Sequence, residues 1–329
     1  MRCHKASVCV VSILFAGVLF LASPELALPQ ETAPKDQPGT RWTEAQLADA
    51  VAPVRAGRKL TPRNWPNGAK VAVCLGFDVD TETWDLAGGG TAPVALSAGE
   101  FGAVVGVPRI VELLERHDLP ASFFIPAASL VVHPQMLQVI LKSGLNEVGV
   151  HGWVHEDLPK LDDPAEEERL LNQAVEYLTH AVGKRPVGYR APSWAFSKYT
   201  FDLIRKAGFL YDSSLMAMDE PYELISHGQA TGVVELPVEW ILDDAPYFGG
   251  WSGTLPLPEQ VFQIYRDEFD RAYAEGTVLM LTMHPRVIGH RSRIVQLDKL
   301  ITYMKSKPGV WFATAEQIAR YIKQGMNPE

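Results

Sequence analysis

Short, almost uninterrupted apolar runs alternate along this chain with longer segments whose apolar residues return every third or fourth position. Runs of the first kind fit strands covered on both faces, and segments of the second kind fit amphipathic helices. Strands are predicted at 71–77, 121–125, 147–150, 187–189, 209–211, 233–240, 277–283 and 310–312. Helices are predicted at 107–117, 134–142, 164–182, 198–206, 258–275, 292–305 and 315–323. The segment 107–117 shows the pattern clearly, with Val107, Ile110, Val111 and Leu114 on one stripe. Gly144, Gly183 and Gly208 stand where helices should stop, and Pro164 suits a first helical turn. Repeated β–α alternation in one domain implies an α/β fold with a mainly parallel sheet. With so many repeats, a closed barrel is more economical than an open sheet.

The ends of the chain read differently. Arg2, His4 and Lys5 precede an apolar run from Ala6 to Ala22 and then a Pro- and Ala-containing stretch. This three-part pattern is that of a secretory signal peptide over 1–27, with cleavage near Ala27 or alternatively at Ser23. The apolar run is at the short end for a membrane span, so no stable insertion is expected after cleavage. Residues 28–64 read as a Pro-rich tether followed by a short helix to about Val54, opened by a capping box at Thr43 and Gln46. Residues 65–329 are then the main domain.

Composition narrows the function. The 329 residues are 47% hydrophobic and 21% charged, enough for one large core. A net charge of −9 with no basic cluster argues against nucleic acid as a partner. Cys3 and Cys9 lie in the signal, so only Cys74 remains, and no disulfide framework is available. Cys74 sits in the apolar run 71–77 and reads as a small core residue.

The chemistry gathers at strand ends. Asp78, His151, Arg190, Asp212 and His284 each follow a predicted strand, and in a parallel barrel those ends converge on one face. Asp78 and Asp80, at spacing two, leave a continuing strand on the same side. Two crowded carboxylates need a cation, a proton or an arginine between them. An isolated Asp-Val-Asp is more often a turn pair, but here possible partners exist. His151 and His155 lie four apart and can face one point, which suits a metal. Two His and one Asp leave an open position for water, as in a catalytic zinc-type site, and the second Asp is then available as general base. Arg190 is suited to holding a carboxylate ionised. Pro192 stiffens the following loop, where the N–H of Ser193 or Trp194 could serve an oxyanion. His284 is open to three readings: proton donor to a leaving amine, third metal imidazole, or buried structural residue.

The ordered set Phe77-Asp-Val-Asp80, His151-Gly-Trp-Val-His155, Arg190-Ala-Pro192, Asp212 and His284 resembles the polysaccharide deacetylases, the NodB-homology superfamily of carbohydrate esterase family 4. The resemblance spans roughly residues 65–322. It implies a distorted (β/α) barrel of about seven strands and a metal-dependent amide hydrolase. By resemblance, Asp78 is the base, Asp80, His151 and His155 are the metal ligands, and Arg190 orients the base. His284 is the general acid and Asp212 the acidic residue that tunes it. The implied ion is divalent, with zinc first and Co2+ or Ni2+ as alternatives. Val79 separates the aspartates, Gly152 replaces the usual Ser or Thr, and Ser193 precedes the aromatic Trp194. These departures resemble the branch with peptidoglycan-deacetylase-like and allantoinase-like members.

The expected substrate is therefore an N-acetylated glycan such as peptidoglycan, met outside the cytoplasm in the periplasm or beyond. A small cyclic amide is the alternative, and a catalytically dead carbohydrate-binding barrel is a third reading that the intact residue set disfavours. An open groove would fit a glycan and a lidded pocket a small ring, with 218–222 and 245–251 as candidate lid segments.

Overall fold

The computed structural model describes residues 37–249 and 255–326. The signal segment, its cleavage site, and Gly250 and Trp251 of the second lid segment lie outside the described residues. The capping box forms: Thr43 N–H donates to Gln46 Oε1 at 2.9 Å, and Gln46 N–H to Thr43 Oγ1 at 3.3 Å, opening the helix Glu44–Val51.

The strands are β1 Arg55–Lys59, β2 Val71–Asp78, β3 Ser122–Ile125, β4 Glu147–Val150, β5 Gly188–Tyr189, β6 Tyr211–Asp212, β7 Tyr222–Ser226, β8 Gln229–Glu235, β9 Val278–Met283 and β10 Val310–Phe312. They run β1-β7-β8-β6-β5-β4-β3-β2, with β9 and β10 both pairing β2. Each predicted run overlaps a strand, though β6 begins only at Tyr211 and β8 already ends at Glu235, and the pairings among these strands are parallel. The strand number exceeds the expected seven. Two strands were not expected: β7 forms an antiparallel hairpin with β8, and β1 pairs β7. Two readings change as a result. The segment Arg55–Lys59, read as part of the linker region 28–64, is a strand of the sheet. The segment 218–222 lies away from the site: Tyr222 opens β7, and Met218 and Asp219 line a cavity with Thr277 and Val278 at the start of β9, the end opposite His284.

β2 is the spine. All of its residues are buried, and it is paired on both edges. Its alternate residues face two separate cores, as period two requires. Val71, Val73, Leu75 and Phe77 pack outward under the helices, while Ala72 and Cys74 join Phe124, Tyr211, Val234, Leu236, Val278 and Met280 inside the curl of the sheet. The last helix, Ala315–Met326, plugs the bottom of that interior with Ala315, Ile318, Ala319 and Ile322. Phe77 stacks on Phe123 at 5.2 Å. Truncating so well-packed a ring to Ala costs about 3–5 kcal/mol.

The sheet curls almost into a barrel. After β8 the chain returns to the free edge of β9, where Asp243 forms an isolated parallel bridge with Thr282. At the top, the helix Pro93–Phe101 and the π-turn Gly102–Gly106 press on two strand-end turns. A Cβ at Gly99 would collide with the Thr81–Glu82 backbone, and one at Gly106 with the Pro285 carbonyl. Close backbone approach is therefore what glycine supplies there.

Candidate active site

The site is built at the carboxyl ends of the parallel strands. Val79 packs into the outer core, so Asp78 and Asp80 both turn inward, each about 2% exposed. The turn after β2 is pinned from below. Ser129 Oγ donates to the Val79 carbonyl at 2.9 Å, the Thr83 hydroxyl donates to the Asp80 carbonyl, and Thr81 adopts φ 51°. Such left-handed backbone costs about 1–3 kcal/mol and persists only when its surroundings enforce it.

His151 Nδ1–H donates to the Arg190 carbonyl at 2.8 Å, which leaves Nε2 with its lone pair facing Asp80 Oδ1 at 3.5 Å. His155 reaches the same oxygen, Nε2 at 3.9 Å, through a tight turn in which it takes φ 63°. Glu156 closes that turn by accepting the N–H groups of Trp153 and Val154. Gly152 has φ 74°, and a Cβ there would stand 2.9 Å from both Glu156 Oε1 and Pro192 Cγ. Glycine is the residue this particular turn accommodates.

One donor atom from each of Asp80, His151 and His155 lies within 4.8 Å of the others. Burial lowers the pKa of both imidazoles, that of His155 to about 4, so both are neutral at physiological pH and able to act as ligands. Asp80 Oδ1 is buried and has no hydrogen-bond partner among the described residues. A buried carboxylate oxygen without a donor is costly, and a cation shared with two neutral imidazoles removes that cost. The donor set therefore fits a divalent ion.

Asp78 is paired differently. Arg190 Nη1 donates to Asp78 Oδ1 at 2.7 Å, with the guanidinium fully buried and its Cζ 4.0 Å from the centre of the Phe124 ring. Burial opposes ionisation of Asp78, but the charge of Arg190, backed by that of His284, more than offsets it. Its carboxyl is held below the usual range.

His284 stands opposite, its Nε2 3.7 Å from Asp80 Oδ2. Its Nδ1–H donates to Asp244 Oδ1 at 2.8 Å, and Asp243 Oδ1 lies 3.4 Å away. Burial would lower the pKa of His284, yet Asp243, Asp244 and Asp80 together push it well above the ordinary value. The sequence reading gave this partnership to Asp212, and the structure corrects that. Tyr211 belongs to the interior core and Ser213 binds Arg190, so Asp212 between them points outward. There it accepts hydrogen bonds from Ser214, and among the described residues no hydrogen bond or ion pair joins it to His284. Asp243 and Asp244 follow no strand of their own. The bridge to Thr282 brings them beside His284.

Trp194 N–H is taken by the Ala191 carbonyl at 2.9 Å, which leaves Ser193, at φ 52°, as the oxyanion candidate in that loop. Two cavities meet at Trp84. A small one of about 80 Å³ lies between Asp80, Trp84, Ala245, Gly249, His284 and Arg286. A groove of about 510 Å³ runs past Trp84, His155, Asp157, Lys160 and Ser193. Trp84 packs against His155 with ring centres 4.8 Å apart. The sequence reading named neither Trp84 nor Arg286.

A curled parallel sheet with an Asp-His-His cluster, an Arg-held aspartate and a carboxylate-backed histidine at its top defines a hydrolase of the NodB-homology type. Residues 99–211 match the family model described as polysaccharide deacetylase. A peptidoglycan deacetylase of Helicobacter pylori is 32% identical, the match covering 76% of this chain and 95% of that protein. A solved Mycobacterium smegmatis structure assigned to the polysaccharide deacetylases is 32% identical with a TM-score of 0.75, over 84% of this chain and all of that one. An allantoinase structure shares the fold at 24% identity and a TM-score of 0.72. The chain belongs to the polysaccharide deacetylase family and is a hydrolase of carbon–nitrogen bonds other than peptide bonds.

Proposed function

We propose that this protein is an exported deacetylase of N-acetyl sugars in peptidoglycan or a related glycan, working with one divalent ion, zinc, at Asp80, His151 and His155. The observation that carries the metal reading is the partnerless Asp80 Oδ1 facing two neutral imidazoles. The substrate reading is supported by the likeness to a peptidoglycan deacetylase over nearly that protein's whole length. An open groove beside His155, without a lid from 218–222, also suits a polymer better than a small ring.

Bound in that set, a divalent ion supplies Lewis-acid chemistry, acidifying water and polarising a carbonyl. The chain supplies the rest. Asp78, kept ionised by Arg190, accepts the proton of the attacking water. Arg190 fixes which Asp78 oxygen is free, because Oδ1 is committed to the guanidinium. The Ser193 N–H supports the developing oxyanion. His284, protonated at neutral pH by its carboxylate neighbours, hands a proton to the departing amine nitrogen. Asp244 fixes its ring and keeps Nε2 directed at the reaction.

The pH profile follows from these pairs. Activity needs Asp78 ionised and His284 protonated, so it falls in acid below the Asp78 pKa and in alkali above the His284 pKa. Asp244→Asn removes a charge that raises the His284 pKa, so the alkaline limb of kcat/KM should move to lower pH while the acid limb stays. An unmoved alkaline limb would show that His284 is not the acid. The substrate is tested by measuring acetate release from N-acetylglucosamine oligomers, from peptidoglycan and from a cyclic amide in parallel with zinc present. Ring opening without acetate release would overturn the glycan reading.

A further inference from the structure

Two buried acids lie outside the interior and take no part in the chemistry above. Asp212 ends β6 and Glu235 ends β8, in register across a parallel pair, and both are fully buried. Their carboxyl groups converge on one donor, the Ser214 N–H, which Asp212 Oδ2 accepts at 3.1 Å and Glu235 Oε1 at 2.9 Å. Glu235 Oε2 has no donor among the described residues, and a proton held between two buried carboxyl groups this close would satisfy it. The same two groups grip one turn. Asp212 accepts the Ser214 N–H at 3.1 Å and the Ser214 hydroxyl at 2.9 Å. Glu235 Oε1 accepts the N–H groups of Ser214 and Leu215, each at 2.9 Å.

That turn holds the base-orienting arginine on its other side. The Ser213 carbonyl accepts Arg190 Nε–H at 3.0 Å, and the Ser213 hydroxyl accepts Nη2–H at 2.8 Å while donating to the Leu236 carbonyl at 2.8 Å. The Ser214 hydroxyl accepts the Ala191 N–H at 2.9 Å. Two of the guanidinium's nitrogens are thus fixed by residue 213, and the third is left to Asp78.

We propose that Asp212 and Glu235 are a proton-sharing positioning pair that sets the Ser213–Ser214 turn and, through it, aims Arg190 at Asp78. This rests on the reading of Asp78 as base and Arg190 as its orienter. Burial pushes the Asp212 carboxyl up to about 6 and that of Glu235 well above its ordinary value, which agrees with a retained proton.

The test compares Glu235→Ala with Glu235→Gln and Asp212→Asn. Either amide keeps an acceptor for the turn and supplies a permanent donor to the remaining carboxyl. Both should keep kcat near the wild-type value. Glu235→Ala should lower kcat on the order of 10²-fold, the scale of an ångström's misplacement, with KM and metal content unchanged. Added to Arg190→Ala, it should cause no further loss, because its effect passes through that arginine. Rates are taken with whichever amide the wild type hydrolyses, so failure on N-acetyl glycans alone sinks the substrate reading and not this one. The Arg190 Nε–H resonance by 15N NMR gives a readout free of turnover: it should shift in Glu235→Ala and hold in Glu235→Gln. Additive losses, a Glu235→Gln protein as slow as Glu235→Ala, or an unmoved resonance would each overturn the proposal. Should Glu235→Ala fail to fold, the two amide variants still decide, since loss of kcat in either contradicts it.

Discussion

Asp78→Asn protein should bind its metal as the wild type does and turn over about 10²–10⁴-fold more slowly, the usual worth of a general base. Added metal should not recover the rate at any concentration. The reason is geometric. Asp78 Oδ1 is committed to Arg190, and Oδ2 stands 3.8 Å from His151 Nε2, beside the cluster but outside the three-residue donor set. An amide there preserves shape and can still accept from the guanidinium, but it cannot take a proton from water. The variant also leaves Arg190 buried without a counter-charge. Uncompensated buried charges cost about 3–5 kcal/mol, so rates must be compared per folded molecule. A variant that regains activity with added metal would show that Asp78 is a ligand.

The second large effect belongs to the histidines. His151→Ala/His155→Ala should purify without the ion and be inactive, and Asp80→Asn should bind it weakly and recover part of its activity at high metal concentration. With both imidazoles gone, Asp80 is the only member of the donor set left. Unlike the base variant, Asp80→Asn should answer to metal supply, because its Asp78–Arg190 and His284–Asp244 pairs are intact. Elemental analysis of each purified variant, alongside a rate titration with zinc, measures both effects. Undiminished metal in the double variant would refute the site.

These two outcomes rest on a feature legible in the sequence. The apolar run ending at Phe77 is long enough to mark a buried strand, and period two then puts Asp78 and Asp80 on one side. The structure agrees, with Val79 as the spacer in the outer core. The same rule, carried past Tyr211, would have turned Asp212 outward and Ser213 inward. A place after a strand puts Asp212 at the rim, and the resemblance makes it the tuning acid, but the pleat decides which face it leaves. Asp244 was beyond reach for a different reason. Its position depends on the return of the chain to the edge of β9, a contact set by the curl of the whole sheet and not by any local pattern. β1 escaped notice because Arg55-Ala-Gly-Arg-Lys59 has no apolar run; it is an edge strand paired only with β7, and its side chains are largely exposed. The parallel strands were legible because their burial on both faces leaves long apolar runs, whereas edge pairings leave little trace in composition.

The most direct measurement is an anomalous difference map from a crystal of the zinc-soaked protein, recorded on both sides of the zinc absorption edge. The expected result is a single peak among Asp80 Oδ1, His151 Nε2 and His155 Nε2, with Asp78 and His284 outside coordination distance. A peak between His284 and the Asp243–Asp244 pair, or none at the three predicted ligands, would contradict it.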